Sequence, residues 1–262
     1  MKYLTKRNNI RCGETGFIFY IFLLILFSSS SVHASSDQHT NISAGATLNI
    51  NFEAYNPDVQ DPKLSIMPTI FYDNSLLYIE SDEVGAYLYQ DEKNQLRINT
   101  YYDSSSYDPD DHDRHLNKRK WSVMAGASYM RITPYGGFKL QIGSDILNRN
   151  KGTVITAAYL AELQQGRWTW YPEFGINWNN SSYNQYYYGV THVEAQKTHL
   201  AVYQAKSAFE PYISINSTYR LNHKFDITSG IEINYMSNEL YSSPLVNKRF
   251  DITAIIGFLY HF

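Results

Sequence analysis

The sequence has very little cysteine, and this absence excludes several kinds of site. The one cysteine, Cys12, comes before an apolar stretch near the N-terminus, whereas a lipoprotein cysteine has to follow such a stretch. The chain beyond Cys12 has no thiol. Disulfides, a thiol nucleophile and cysteine-ligated metals are therefore excluded from that part of the chain.

The apolar stretch belongs to a predicted secretory signal peptide, residues 1–34. The basic residues in front of it are Lys2, Lys6, Arg7 and Arg11. Residues 17–27 form its apolar core, which is too short for a membrane span, and Val32-His33-Ala34 is a small-x-small cleavage site. An N-terminal anchor helix is the alternative, but the serines at 28–31 interrupt the apolar run. We expect the mature chain to begin at Ser35.

The mature chain also has few basic residues and no long apolar run. Without the four basic residues and the one acidic residue of the signal peptide, 18 basic residues face 24 acidic ones, a net charge of −6. This balance argues against nucleic acid as a partner. Past the signal peptide no segment is apolar enough for a transmembrane helix, yet the chain contains 24 Tyr, 13 Phe and 4 Trp. This composition is typical of a membrane β-barrel, in which only alternate residues need to be apolar.

The last residues of the chain show this alternation clearly. Every second residue is apolar: Phe250, Ile252, Ala254, Ile256, Phe258, Tyr260 and Phe262. A period of two predicts a strand with unlike faces, and a closed barrel uses such a terminal strand because its last strand pairs with its first. A core strand of a soluble β-sandwich is the alternative. Gly257, Tyr260 and Phe262 also resemble the C-terminal insertion signal of bacterial outer-membrane barrels.

The same alternation recurs along the mature chain, and residues 35–262 are predicted to form one all-β domain, a closed antiparallel transmembrane β-barrel. We predict about twelve strands, at 43–53, 64–72, 76–80, 84–90, 96–102, 121–129, 138–146, 154–163, 168–178, 213–219, 225–235 and 250–262. Longer and shorter connections mostly alternate, which places the longer ones outside the cell and both termini in the periplasm. Only the strand pair around Asp82, between residues 64 and 90, breaks this rule, because its outer turn is short.

No catalytic, cofactor or metal site is predicted. The acidic loop 103–115 contains carboxylates and histidines that could bind a divalent cation, but its spacing is not that of an EF-hand, and a solvated outer loop is the better interpretation. No G-x-S-x-G motif is present, and no histidine lies at a telling spacing from a serine. The inward polar residues Glu53, Arg97, Glu173 and Glu232 are expected to satisfy one another inside the lumen.

The long connection 179–207 is predicted to contain a short helix. Thr191 and Glu194 have the spacing of a capping box, and residues 195–206 have a helix-forming composition. A polar loop without a helix is the alternative.

This connection also resembles the signature stretch of the MipA/OmpV family of outer-membrane proteins. The residues that carry the resemblance are Tyr186, Tyr187, Tyr188, Gly189, Val190, Glu194, Ala195, Leu200, Tyr203 and Ala205. Ser243-Pro244-Leu245-Val246 and the final Phe262 are similar to the family as well. Thr198-His199-Leu200 stands where the family often has Ser-Gly-Leu, so the resemblance does not establish the local turn there.

The resemblance implies a non-enzymatic outer-membrane barrel of the Gram-negative cell envelope. The founding member of the family is a scaffold that joins a murein hydrolase to a murein synthase, while other members are linked to adhesion and envelope stress. The implied partners are therefore outer-membrane lipid, the barrel-assembly machinery, and a murein hydrolase and murein synthase. A narrow pore for small solutes and an outer-membrane hydrolase are the alternative functions.

Overall fold

The computed structural model describes residues 41–55, 62–109 and 115–262. The predicted signal peptide and residues 110–114 of the acidic loop lie outside these ranges. The strands are β1 Asn41–Phe52, β2 Lys63–Asp73, β3 Leu77–Glu80, β4 Glu83–Gln90, β5 Asn94–Asp103, β6 Ser122–Thr133, β7 Gly136–Asp145, β8 Thr153–Leu160, β9 Leu163–Gln165, β10 Trp168–Asn179, β11 Ala208–Arg220, β12 Phe225–Tyr235 and β13 Phe250–His261.

The strands close into one antiparallel barrel. Strands that are neighbours along the chain pair with each other, except β8 and β9, which both pair with β10. The last strand, β13, pairs with β1, with Ser43 opposite His261 and Phe52 opposite Ile252. The short strand β9 continues β8 after a break at residues 161–162, because both pair with the same strand, β10. The fold is thus a closed twelve-strand β-barrel with β9 as one extra short strand.

Alternate residues of each strand face outward and inward. Ile231 is opposite Ala254 across β12 and β13, and the next pair in the register is Glu232 and Thr253. Ile231 and Ile256 are exposed on the outer wall, whereas Glu232 is shielded inside. Apolar side chains therefore cover the lipid face and polar ones line the lumen, as the period of two predicts.

The strand β2 has only one complete neighbour. The hairpin of β3 and β4 is short, and β3 pairs with β2 only between Phe71 and Asp73. Among the described strands, none pairs with residues 63–69 of β2 on the side away from β1. Pro68 has no N–H to donate, and in sheets proline is confined to such edges, which explains how this strand accommodates it.

Three short helices lie in the long connections: α1 Ser181–Tyr188, α2 His192–Thr198 and α3 Asn238–Tyr241. The predicted capping box of α2 is confirmed, but α2 ends earlier than its composition suggests because His199 adopts a left-handed φ of 61°. The helix α1, which Asn180 caps by accepting from the Tyr183 N–H, was not predicted. Within the described ranges no helix is long and apolar enough to cross a membrane.

Candidate functional site

The long connections pack together at one end of the barrel and form an apolar cluster, which we call the loop cap. Its residues come mostly from the connections that follow β1, β5, β10 and β12. They are Ala54, Tyr55, Tyr107, Leu116, Tyr183, Tyr187, Tyr188, Val190, Ala208, Met236, Leu240, Leu245 and Val246. A soluble protein would bury such residues between sheets, whereas here they pack against one another at the end of a barrel.

Three tyrosines show that the loop cap spans the barrel mouth. The Tyr55 ring lies 4.9 Å from that of Tyr107 and 5.7 Å from that of Tyr188. These tyrosines follow β1, β5 and β10, which stand four strands apart around the twelve-strand ring. Side chains from three equally spaced points of the rim can meet only near its centre. The long-loop end of the barrel is therefore closed by the loop cap.

The helix α1 places its tyrosines in this cap. Tyr187 is fully buried, and its hydroxyl donates to the carbonyl of Lys120 at 3.2 Å. The Tyr183 hydroxyl is 2.8 Å from that of Ser105, and the Tyr186 hydroxyl accepts from the Lys120 N–H at 2.9 Å. Tyr183, Tyr186 and Tyr187 thus join the connection after β10 to the one after β5, and the hydroxyls of these three tyrosines have partners, as buried phenols require.

A buried ion pair fixes the same two connections. Arg119 Nη2 lies 2.8 Å from Glu194 Oε1, and both side chains are at least 95% buried. Glu194 also accepts from the Asn117 N–H and from the Thr191 N–H and hydroxyl, at 2.8–3.0 Å. Arg119 donates to the carbonyls of Tyr186 and Gly189 at 3.2 and 3.0 Å. Both charges are thereby compensated, which a buried pair needs in order to be stable.

The electrostatics of the loop cap follow from this bonding. Burial alone would raise the pKa of the Glu194 carboxyl, but the hydrogen bonds from Asn117 and Thr191, together with Arg119, hold that pKa below its usual 4.5. Burial raises the pKa of Tyr183 and Tyr188 well above 10, so both phenols stay neutral.

The remaining signature residues complete the cap. Burial and the neighbouring Glu239 raise the pKa of Tyr203 to about 12, and the Tyr203 hydroxyl donates to the Glu239 side chain at 3.2 Å. The buried Ala205 donates its N–H to Gln185 of α1 at 2.9 Å. A β-carbon on Gly189 would lie 2.4 Å from the Gln185 carbonyl oxygen, so only glycine fits there. The structure thus brings the signature residues together in the loop cap.

The residues of the predicted insertion signal lie on the terminal strand. A β-carbon on Gly257 would lie 2.5 Å from the Ala46 carbonyl oxygen, so glycine allows the close approach of β1 at the barrel seam. The rings of Tyr260 and Phe262 are 4.9 Å apart, and Phe262 is largely exposed.

The inward polar residues have partners other than those predicted. Lys63 Nζ lies 2.5 Å from Glu53 Oε2, and Arg97 Nη1 lies 3.1 Å from Glu80 Oε1. Glu173 accepts from the Tyr212 hydroxyl at 2.5 Å, and Glu232 accepts from the Asn234 amide at 2.9 Å. The expectation that these four residues satisfy one another was wrong, because the strand register gives each of them a closer polar neighbour. The described residues contain no group of three or more His, Cys, Asp or Glu that could hold a metal ion.

One polar chain was missed by sequence reasoning. Ser43 Oγ is 2.7 Å from His261 Nδ1, and His261 Nε2 is 2.9 Å from Asp226 Oδ2. The three residues lie on β1, β13 and β12 at the seam where the barrel closes. Because Ser43 and His261 are 218 positions apart, only the pairing of the first and last strands could have revealed this contact.

The barrel, its cap and the signature loop agree with a comparison of the sequence with known families. A sequence model described as "MltA-interacting protein MipA" matches residues 36–262. The chain belongs to the MipA family. It is 28% identical to the MltA-interacting protein of Escherichia coli over 243 residues. This matched stretch covers 91% of this chain and 96% of that protein. It is 25% identical over 245 residues to the putative outer membrane protein YiaT of the same species, covering 92% and 98%.

Other relatives place the chain in the outer membrane. The outer membrane protein OmpV of Vibrio cholerae is 28% identical over 171 residues, 64% of this chain and 66% of that protein. Among solved structures, an outer membrane channel from Pseudomonas putida is similar over 89% of this chain and 99% of its own, with 8% identity and a TM-score of 0.44. The family match, the names of the sequence relatives and the closed strand pairing make this MipA-family member an outer-membrane β-barrel, and the names of its relatives point to proteins without enzymatic activity.

Proposed function

We propose that this MipA-family protein is a non-enzymatic interaction protein of the cell envelope, which binds its partners through the turn end of the barrel. The observation that supports this best is the loop cap, in which Tyr55, Tyr107 and Tyr188 meet across the mouth. A barrel closed at the long-loop end is poorly suited to passing solutes from outside. The turn end, which faces the periplasm in barrels with this alternation of loops and turns, remains for contacts with periplasmic proteins.

The partner we propose is a murein hydrolase, with a murein synthase as a second partner of the same assembly. The MltA-interacting protein, similar to this chain over nearly its whole length, is named for an interaction with MltA, and the family resemblance implies a murein hydrolase as the partner. The other partners that we propose are outer-membrane lipid and the barrel-assembly machinery.

Site-specific photo-crosslinking in intact envelopes tests the proposal. A crosslinking residue in place of Tyr135, which is 85% exposed in the β6–β7 turn, is expected to capture a murein hydrolase. The matched position is Val193, which is 60% exposed on α2 at the opposite end, and it is expected to capture none. The proposal would be overturned if the hydrolase were captured from Val193 but not from Tyr135 or another turn. It would also be overturned if the hydrolase were captured from neither end.

A further inference from the structure

The lumen contains a polar cavity that the proposed function does not use. It has a volume of about 230 Å³. It lies between β7, β8, β10, β11 and β12, and its lining residues are Lys139, Gln141, Thr156, Glu173, Asn177, Tyr212 and Glu232. Every lining side chain carries a polar group, and Asn177 is two residues from the end of β10, beyond which α1 of the loop cap begins.

Two carboxylates share one wall of this cavity. Glu173 and Glu232 stand on either side of Ser214 in the register of β10, β11 and β12. Their backbones are therefore two strand spacings apart, about 10 Å, and their side chains point to the same face. A flexible glutamate side chain can reach a shared ligand from either side across that distance.

Each carboxylate has one oxygen engaged by a neutral donor. Glu173 Oε1 accepts from the Tyr212 hydroxyl and Glu232 Oε1 accepts from the Asn234 amide. Neither carboxylate forms an ion pair with another described residue. Neutral groups therefore position two negative charges in the lumen, and no ion pair with a described residue compensates either of them. Shielding an unpaired carboxylate from water costs free energy, and a bound cation between the two carboxylates would offset this cost.

Lys139, the one cationic side chain among the lining residues, already forms an ion pair with a carboxylate outside this lining. Its ammonium lies 3.6 Å from Glu83 Oε2 on the side of the lumen formed by β4, and Glu83 also accepts from Gln141 at 3.1 Å. Counting Lys139, Glu83, Glu173 and Glu232, the region carries one positive and three negative charges. An anionic ligand is therefore disfavoured here.

We propose that this cavity binds a small organic amine, with its ammonium group held between Glu173 and Glu232. A primary ammonium has three N–H donors, and the second oxygen of each carboxylate can accept one of them. The Asn177 amide accepts from Thr156 through Oδ1 at 2.7 Å, so its NH₂ group can donate to a hydroxyl or a second polar group of the ligand. A divalent metal fits less well, since the described residues offer no group of three metal-binding side chains.

Calorimetry on the folded, full mature protein in detergent tests this site, with ethanolamine and cadaverine as ligands and glutarate as the anionic control. We expect both amines to bind and glutarate not to bind. Glu173→Gln and Glu232→Gln are each expected to weaken amine binding at least about tenfold, because each removes one partner of a shielded charge pair. Glu92→Gln, a change in the exposed β4–β5 turn, is expected to leave binding unchanged.

Two further variants should act in the opposite direction. Lys139→Met removes the competing cation and is expected to tighten amine binding, and Asn177→Asp should tighten it by adding a third carboxylate. Heat-modifiable gel mobility confirms that each variant is folded, and the tightening variants test the site even if a glutamate variant fails to fold. Absence of amine binding, equal binding by wild type and the glutamine variants, or displacement of the amine by equimolar calcium chloride would overturn the proposal.

Discussion

The guanidinium of Arg119 and the carboxylate of Glu194 form a 2.8 Å ion pair inside the loop cap, although the two residues belong to different connections of the barrel. Glu194 is a signature residue of the chain, and its carboxylate also caps its own helix through Thr191. One side chain therefore fixes both the local fold of the long connection and its attachment to the neighbouring one.

Replacing Glu194 by alanine is expected to loosen the loop cap without unfolding the barrel. Removing one partner of a buried ion pair costs about 3–5 kcal/mol, because the other charge stays buried and uncompensated. Limited proteolysis of the folded protein should then cut between residues 183 and 207, while heat-modifiable gel mobility is retained. Glu92→Ala, at the opposite end, should remain resistant. A resistant Glu194→Ala protein would show that the ion pair does not hold the cap.

The loop cap is also expected to loosen in acid. The folded-state pKa of Glu194 lies below 4.5, so the ionised carboxylate stabilises the cap above that pH, and this stabilisation is lost as the pH falls through the lowered value. Protection of the amides of the 180–207 connection, taken as the observed exchange rate relative to the intrinsic rate at each pH, should fall below pH 4.5 in the wild type. In Glu194→Gln, this protection should be low already at neutral pH and change little on acidification. A wild-type profile that is flat down to pH 2 would contradict this assignment.

The two faces of β12 should respond differently to a charge. Ile231 is 40% exposed on the outer wall, and Asn234 donates to Glu232 inside the lumen. Arginine facing lipid near the middle of the bilayer costs about 2–4 kcal/mol, whereas a lumen position tolerates it better. Folding into lipid vesicles should be impaired more by Ile231→Arg than by Asn234→Arg. Equal effects would mean that the register of this strand is wrong.

Most of the barrel could be predicted from the sequence, because a two-residue period is a local signal. The strand β12 was predicted with its observed bounds, 225–235, and the capping box at Thr191 was recognised from spacing alone. The break between β8 and β9 was missed, since the apolar pattern continues through it. The helix α1 was missed as well: its three consecutive tyrosines have no helical period, and it is stabilised by the Asn180 cap and by burial in the loop cap.

The parts that could not be predicted depend on ring closure. Tyr55, Tyr107 and Tyr188 are far apart in the sequence and meet only because their strands are equally spaced around the barrel. The chain of Ser43, His261 and Asp226 depends in the same way on the pairing of β1 with β13. Contacts of this kind carry no local sequence signal.

That seam chain allows a direct test of the proposal that the protein is not an enzyme. Serine, histidine and aspartate follow one another as in a hydrolase triad, but Ser43 lies at Nδ1 of His261 and Asp226 at Nε2, the reverse of the triad in which the histidine activates the serine. We expect instead that it joins the first and last strands, so Ser43 should not be labelled by a fluorophosphonate probe in the folded protein. Ser43→Ala should slow folding into lipid or lower the heat needed to unfold the barrel. Labelling that disappears in Ser43→Ala and in His261→Asn would contradict a non-enzymatic function.

Conductance across a planar lipid bilayer tests the closed loop cap most directly. The folded wild-type protein is expected to give no stable ion current, because the tyrosines meet across the mouth above a lumen that is otherwise polar. The double variant Tyr187→Ala and Tyr188→Ala removes two rings from the cap and should give measurable current while the barrel stays folded. Sustained channel currents from the wild-type protein, equal to those of the double variant, would contradict the closed mouth and favour a pore.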